Sequence, residues 1–85
     1  MNGEMLLNHA AALFRDRHDK YGPAHELLDQ IARRWSLTLG VSVTPAQVAL
    51  CLIDLKLARL TRNPGHLDSI ADVAGYAACL REVAR

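Results

Sequence analysis

Apolar residues recur along this chain at helical spacing. The clearest stripe lies in the second segment, where apolar residues three or four positions apart share one face of a helix: Leu28, Ile31, Trp35 and Leu39. No long segment alternates apolar and polar residues, as an exposed strand would. The pattern therefore predicts four helices, over about residues 3–20, 24–39, 45–62 and 66–84.

Short breaks containing glycine and proline separate these helices. The third helix has the best-defined start, because Thr44 caps it, Pro45 needs no N–H in a first turn, and Gln47 completes a capping box. Turn residues also form the other breaks, at Gly22-Pro23 and Pro64-Gly65. Such short connections favour neighbouring helices in one bundle. We therefore predict an all-α fold, a compact four-helix bundle in which the whole chain forms one domain.

The third and fourth helices carry features that a small monomer explains poorly. The third is apolar on nearly every side, which is typical of a central helix or of one buried in an interface. Gly75, in the fourth, costs about 1 kcal/mol relative to alanine, so we expect close packing or a ligand to explain it. A chain of 85 residues buries a smaller fraction of its surface than a larger domain does. We therefore expect homo-oligomerisation to complete the bundle.

Composition narrows the classes of function. The formal charge of +1 and the pI near 7.9 give no basic field that would gather nucleic acid. No apolar run approaches the ~20 residues of a membrane span, and the first residues do not resemble a signal peptide. Cys51 and Cys79 lie in apolar segments without metal-binding spacing, which indicates buried thiols in a reducing compartment. We expect a cytoplasmic protein with no membrane or nucleic-acid partner.

A basic row and a pair of carboxylates lie close together between residues 54 and 76. Lys56 and Arg59 are one helical turn apart, and both residue types bind phosphate. Asp68 and Asp72 are also one turn apart, so they can share a Mg²⁺ ion with water and ligand phosphates. The predicted ligand site therefore comprises Lys56, Arg59, His66, Asp68, Asp72 and Tyr76.

Structural roles are open for the same residues. Asp68 can stabilise a helix N-terminus by capping it or by its charge. Lys56 can pair with Asp72 or Asp54, because an unpaired ammonium in an apolar helix is costly. His66 follows a Pro-Gly turn, where a histidine is more often exposed and idle.

Aromatic rings and catalytic nucleophiles are the other groups that could act on a ligand. Tyr76 follows Asp72 by one turn and is the expected neighbour of a ligand. Tyr21 offers another ring, whereas Trp35 belongs to the apolar stripe and is expected in the core. The sequence contains no nucleophile elbow, P-loop, Gly-rich dinucleotide turn or Cys/His catalytic grouping. No residue is therefore assigned a catalytic role.

Four motifs taken together carry a resemblance to a known family: RDRHDKYGP, IARRW, DLKLARL and HLDSIADVAGYAA. They are similar to a phage-encoded family of small all-helical proteins, over about residues 15–78. That family resembles, more distantly, the MazG-like all-α nucleotide pyrophosphohydrolases, whose acidic helices hold magnesium and which assemble as dimers or tetramers. The resemblance implies that Asp68 and Asp72 hold the metal, with Lys56 and Arg59 near the phosphates.

The chain departs from those enzymes in its carboxylates. They present a paired-glutamate helix and a second acidic helix, whereas the second helix here offers only Glu26 and Asp29, and the third only Asp54. Metal-dependent hydrolysis needs a cluster of charge that holds Mg²⁺ and activates water. The leading hypothesis is therefore binding of a nucleotide or related phosphorylated small molecule, without a cofactor. In a phage setting this implies sequestration of a nucleotide signal used in host defence.

Two alternatives to that hypothesis stay open. The first is a Mg²⁺-dependent, MazG-like pyrophosphohydrolase that uses Asp68 and Asp72, with Glu26 and Asp29 as further metal ligands. The second is a protein-interaction module without a small ligand, in which the charged row is an ion-pair network and the apolar third helix is a partner surface.

Overall fold

The structure, a computed structural model, describes residues 1–84. These residues form four α-helices: α1 (Gly3–Tyr21), α2 (Ala24–Leu39), α3 (Pro45–Arg62) and α4 (Leu67–Val83). No strand occurs within this range, so the all-α prediction is confirmed. Each helix begins and ends within one residue of its predicted position.

Local hydrogen bonds explain where α1 and α3 begin. Asn2 Oδ1 accepts from the Met5 N–H at 2.9 Å. Thr44 Oγ1 accepts from the Gln47 N–H at 3.1 Å, and Gln47 Oε1 accepts in return from the Thr44 N–H at 2.9 Å. The predicted capping box is therefore present, and it satisfies donors that the first turn of a helix leaves open.

The connection between α2 and α3 is held by Gly40 and Ser36. Gly40 ends α2 with φ 70° and ψ 20°, a left-handed conformation that favours glycine. Ser36 Oγ donates to the Ala32 carbonyl at 2.7 Å and accepts from the Val43 N–H at 2.9 Å. One hydroxyl thus fixes the end of α2 to the start of the next segment.

His66 begins α4 as its N-cap residue. Its Nδ1 accepts from the Ser69 N–H at 3.3 Å and lies 2.8 Å from Ser69 Oγ. Ser69 is 1% exposed, so the contact with its Oγ satisfies a buried hydroxyl, and the other bond satisfies its backbone N–H. His66 is exposed, as expected, but the expectation that it is idle is wrong. Asp68 lies in the first turn and is not the capping residue.

The helices pack around α4 rather than around α3. α4 contacts α1, α2 and α3, and α3 also contacts α2. The main core cluster consists of Leu28, Ala32, Val48 and Ala49, against which Trp35 packs as predicted. The sequence predicted α3 to be either a central helix or one buried in an interface. The central position is instead occupied by α4.

Much apolar surface on α3 stays exposed. Leu50, Leu55 and Leu57 are 49%, 47% and 48% exposed. Cys51 is exposed and Cys79 is partly buried, so the expectation of two buried thiols is wrong for Cys51. Within residues 1–84, none of the helices has the length and apolarity needed to cross a bilayer.

Candidate functional site

A cavity of about 480 Å³ opens between the helices, and residues of all four helices line it. We call it the inter-helical cavity. Most of its lining side chains are apolar or aromatic, among them Phe14 and Tyr21 of α1, Ile31 of α2, Leu52 of α3 and Tyr76 of α4. Small-molecule sites in proteins have this size and this mainly apolar lining.

Gly75 of α4 lines this cavity instead of supporting a close helix contact. A Cβ atom added at Gly75 would meet no atom within 4 Å. Close packing therefore does not explain the glycine, contrary to one of the two expectations. Gly75 instead borders open space, both in this cavity and in a neighbouring pocket lined by residues of α1 and α4.

Asp72 places a negative charge in the cavity lining, and two basic side chains approach it. Lys56 Nζ lies 3.0 Å from Asp72 Oδ2, and these side chains are only 11% and 17% exposed. Arg17 Nη2 lies 3.8 Å from Asp72 Oδ1, and its side chain is 55% exposed. The Lys56–Asp72 pair is thus largely desolvated, whereas Arg17 reaches the carboxylate from the solvent side.

Cys79 lines the cavity one turn beyond Tyr76. Burial raises the pKa of its thiol above the ordinary value, and the nearby positive charge of Arg17 opposes this rise in part. The raised pKa keeps the group a neutral thiol at physiological pH. A neutral thiol is a weak nucleophile, so Cys79 contributes packing rather than reactivity.

The structure brings only part of the predicted ligand site together. Asp72 and Tyr76 line the cavity, and Lys56 contacts Asp72 from α3. The expected structural role of Lys56, an ion pair with Asp72, is confirmed. The lining residues do not include Arg59, His66 or Asp68.

Residues at the end of α1 line the cavity in place of those three. Arg17, His18 and Tyr21 all contribute to the lining, and of these the sequence pattern indicated a ligand role only for Tyr21. One signal was available in the sequence: Arg17 and Tyr21 are four residues apart, so a basic and an aromatic side chain share one helix face.

The carboxylates fit a magnesium site poorly. Among residues 1–84, no three His, Cys, Asp or Glu side chains come close enough together to hold a metal ion. Asp72 is paired with Lys56, and Asp68 is exposed outside the cavity lining. Mg²⁺ prefers several oxygen ligands in octahedral geometry, which this pair does not supply.

Comparison with known proteins places the chain in a family. A family model described as a domain of unknown function, DUF6378, matches residues 4–84. The chain belongs to the DUF6378 family. No solved structure matches it.

Two relatives of this DUF6378 chain come from mycobacteriophages. It is 41% identical over 68 residues to the Gene 55 protein of Mycobacterium phage L5. The matched segment covers 79% of the chain and 44% of that protein. It is 33% identical over 81 residues to the Gene 55 protein of Mycobacterium phage D29. The matched segment covers 94% of the chain and 54% of that protein. The chain thus spans about half the length of these curated relatives.

These matches confirm the expected similarity to a phage-encoded family. The similarity to MazG-like enzymes stays a prediction. The family description and the names of the two relatives state no activity. Any function must therefore be argued from the cavity and its side chains.

Proposed function

We propose that this DUF6378 chain binds a nucleotide or related phosphorylated small molecule in the inter-helical cavity. The observation that carries the proposal is the cavity itself, about 480 Å³ and mainly apolar, with a few polar groups in its lining. Ligand sites combine an apolar lining, which contributes affinity, with a small number of polar groups that fix orientation.

The aromatic lining suits a planar ring. Phe14, Tyr21 and Tyr76 contribute rings from two different helices. Aromatic side chains stack on nucleobases because every base presents a π-face, and each stacked base is worth about 1–3 kcal/mol in single-stranded nucleic-acid complexes. A nucleobase is therefore the ligand portion that we assign to these rings.

Asp72 supplies a hydrogen-bond acceptor for that base. An ionised carboxylate accepts through about four lone-pair sites. Lys56 approaches Oδ2, and the more distant Arg17 approaches Oδ1 at 3.8 Å. Acceptor capacity thus remains for the ring or exocyclic N–H groups of a base. The contact with Lys56 holds the Asp72 carboxylate in place while it accepts.

Arg17 and His18 are the groups that we assign to phosphate. Both line the cavity, and both side chains are 55% exposed. The planar guanidinium of arginine pairs with phosphate through two parallel hydrogen bonds. Lys56 is a weaker candidate than the sequence suggested, because its ammonium is already matched by Asp72.

Thermal melting of the purified protein tests this proposal first. The panel contains nucleoside triphosphates, dinucleotides and cyclic nucleotides, with and without Mg²⁺, since a ligand that binds only the folded state raises the melting temperature. We expect a selective rise for one class. No rise with any member of the panel contradicts the proposal.

Charge reversal then locates the phosphate. We expect Arg17→Glu to abolish the rise, because it places a negative charge at the cavity rim. Arg34→Glu is the matched control, since Arg34 is an exposed arginine of α2 outside the cavity lining. Loss of binding in Arg59→Glu but not in Arg17→Glu would instead place the phosphate on α3, as the sequence pattern suggested.

Hydrolysis by a MazG-like mechanism is the alternative that we weigh against binding alone. The poor fit of Asp68 and Asp72 to a magnesium site favours binding without turnover. The test is incubation of the bound nucleotide with Mg²⁺ and an assay for pyrophosphate. Magnesium-dependent release of pyrophosphate that is lost in Asp72→Asn would show that the protein hydrolyses the nucleotide.

The origin of the relatives suggests what binding alone would achieve. The two Gene 55 proteins come from phages of mycobacteria. We propose that a chain of this family sequesters a nucleotide signal in the host cytoplasm and so withdraws it from host defence. We also propose that the chain acts as a homo-oligomer, because its apolar residues are exposed on more than one helix.

A further inference from the structure

A stripe of apolar side chains on α3 has the spacing of a helix-pairing seam. Leu50, Ile53, Leu57 and Leu60 follow one another at intervals of three, four and three residues. Intervals that alternate between three and four residues are the spacing of coiled-coil contact positions. Leu50 and Leu57 are 49% and 48% exposed, and Ile53 and Leu60 are partly exposed. We call these four residues the α3 seam.

The chain as a whole exposes more surface than a folded monomer of its mass ordinarily does. A folded monomer of 9.4 kDa exposes about 5,000 Å², whereas this chain exposes 6099 Å². The excess of roughly 1,100 Å² is larger than the ~800 Å² that each partner contributes to a standard interface. The radius of gyration, 13.5 Å, likewise exceeds the value of about 12 Å typical of a domain of this length.

We propose that a second copy of this chain docks on the α3 seam in antiparallel orientation. The intervals three, four and three read the same in both directions, so the seam is complementary to its own reverse. In that pairing Leu50 meets the second copy's Leu60, and Ile53 meets the second copy's Leu57. A two-fold dimer uses the same patch on both partners. A stripe whose spacing is the same in both directions can therefore pair with itself.

This dimer leaves the inter-helical cavity open. Leu52 is the α3 residue that lines the cavity, and it lies one position before Ile53, about 100° round the helix. The two surfaces therefore lie on different sides of α3. Dimerisation and nucleotide binding can fail independently, and a monomeric variant that still melts higher with nucleotide would separate them.

Sedimentation equilibrium over a concentration series tests the seam. We expect the unaltered chain to dimerise, and Leu57→Glu to weaken its self-association by at least about a hundredfold, since a symmetric interface contains each substituted position twice. Leu55→Glu is the matched control on the same helix. Leu55 is 47% exposed, close to the 48% of Leu57, but lies about 200° away from it around α3.

Two results would contradict a dimer that docks on the α3 seam. One is a chain that stays monomeric throughout the series. The other is a dimer that survives Leu57→Glu and dissociates in Leu55→Glu or in Leu37→Glu, since Leu37 is an exposed leucine of α2. Circular dichroism of each variant checks that the helices remain.

Disulfide trapping gives a second test that keeps the native fold. Leu50→Cys and Leu60→Cys are made separately, each with Cys51→Ser and Cys79→Ser, and then mixed under oxidising conditions. In the antiparallel dimer two copies of position 50 lie roughly 15 Å apart along the helices, beyond the ~7 Å limit of a disulfide. We therefore expect the mixed disulfide and neither homodisulfide. Efficient homodisulfides would indicate parallel helices and contradict the proposed geometry.

Discussion

The Lys56 ammonium lies 3.0 Å from the Asp72 carboxylate, with the two side chains 11% and 17% exposed. This pair joins α3 to α4 at the edge of the inter-helical cavity. Removing both charges from water is costly, and the attraction between them repays that cost only while both partners are present. The pair therefore makes the orientation of Asp72, which lines the cavity, dependent on Lys56.

Asp72→Asn should reduce the free energy of unfolding by about 3 kcal/mol, because it leaves the Lys56 ammonium buried and unpaired. Urea unfolding measures the loss. Replacing both residues, with Lys56→Met and Asp72→Leu, should recover most of it, since neither charge is then buried. Lys20→Met is the control: Lys20 makes an exposed pair with Asp16 at 3.3 Å, and such pairs contribute about 0.5 kcal/mol or less. If a double-mutant cycle showed no coupling energy between Lys56 and Asp72, the proposed dependence of each charge on its partner would be contradicted.

Gly75→Ala should stabilise the protein by about 1 kcal/mol, the difference in helix propensity between the two residues. The gain is expected because an added Cβ meets no atom within 4 Å. Gly75→Leu should fill part of the cavity and weaken nucleotide binding while leaving the fold intact. Thermal melting with and without the nucleotide measures both effects. Gly3→Ala is the control, because Gly3 begins α1 outside the cavity lining and also has open space. Unchanged nucleotide binding in Gly75→Leu would place the ligand elsewhere.

The sequence predicted the helices well because their ends depend on neighbouring residues. The Thr44–Gln47 capping box and Gly40 act within one turn, so they can be read directly from the chain. The centre of the bundle was harder to predict. α3 carries more leucines than α4, but Leu50, Leu55 and Leu57 stay about half exposed, whereas α4 contacts all the other helices. Which helix becomes central depends on contacts between distant segments, and a local pattern does not encode them.

The candidate site was predicted only in part, because it depends on contacts between distant segments. Asp72 and Tyr76 share one face of α4, a relation that helical spacing reveals. Arg17 approaches Asp72 only through the packing of α1 on α4, and no local pattern encodes that packing. Arg59 follows Lys56 by one turn, yet it is exposed and does not line the cavity. Spacing therefore identified residues on a common helix face, but tertiary packing decided which of them meet.

The two cysteines should differ in their rate of alkylation. Cys51 is exposed, whereas Cys79 is partly buried and burial raises the pKa of its thiol. Because the thiolate is the reactive form, iodoacetamide should modify Cys51 first near neutral pH, as mass spectrometry of the digested protein would show. In urea the two rates should converge, which is the internal control. Equal rates in the folded protein would contradict the burial of Cys79.

The same shift has a consequence for stability at high pH. The pKa of Cys79 is raised in the folded state, so the unfolded chain loses the thiol proton at a lower pH than the folded chain does. The free energy of unfolding is therefore unaffected by this group below the ordinary thiol pKa. It falls as the pH rises from that value through the raised pKa of the folded state. Cys79→Ala should remove this part of the pH dependence in urea unfolding, whereas Cys51→Ala should leave it unchanged.

Asp54→Asn should strengthen the proposed dimer. Asp54 is exposed and lies about 80° from the centre of the α3 seam, the flanking position of a coiled-coil heptad. In the antiparallel pairing it lies close to the second copy's Asp54 on the same side of the interface, and like charges at such positions destabilise association. Neutralising both should tighten self-association by a few-fold, and added salt should have a similar effect because it screens exposed charges. Asp68→Asn is the control, since Asp68 is exposed on α4 and away from the seam. Sedimentation equilibrium at low and high salt measures both effects, and a dimer weakened by Asp54→Asn would contradict the antiparallel arrangement.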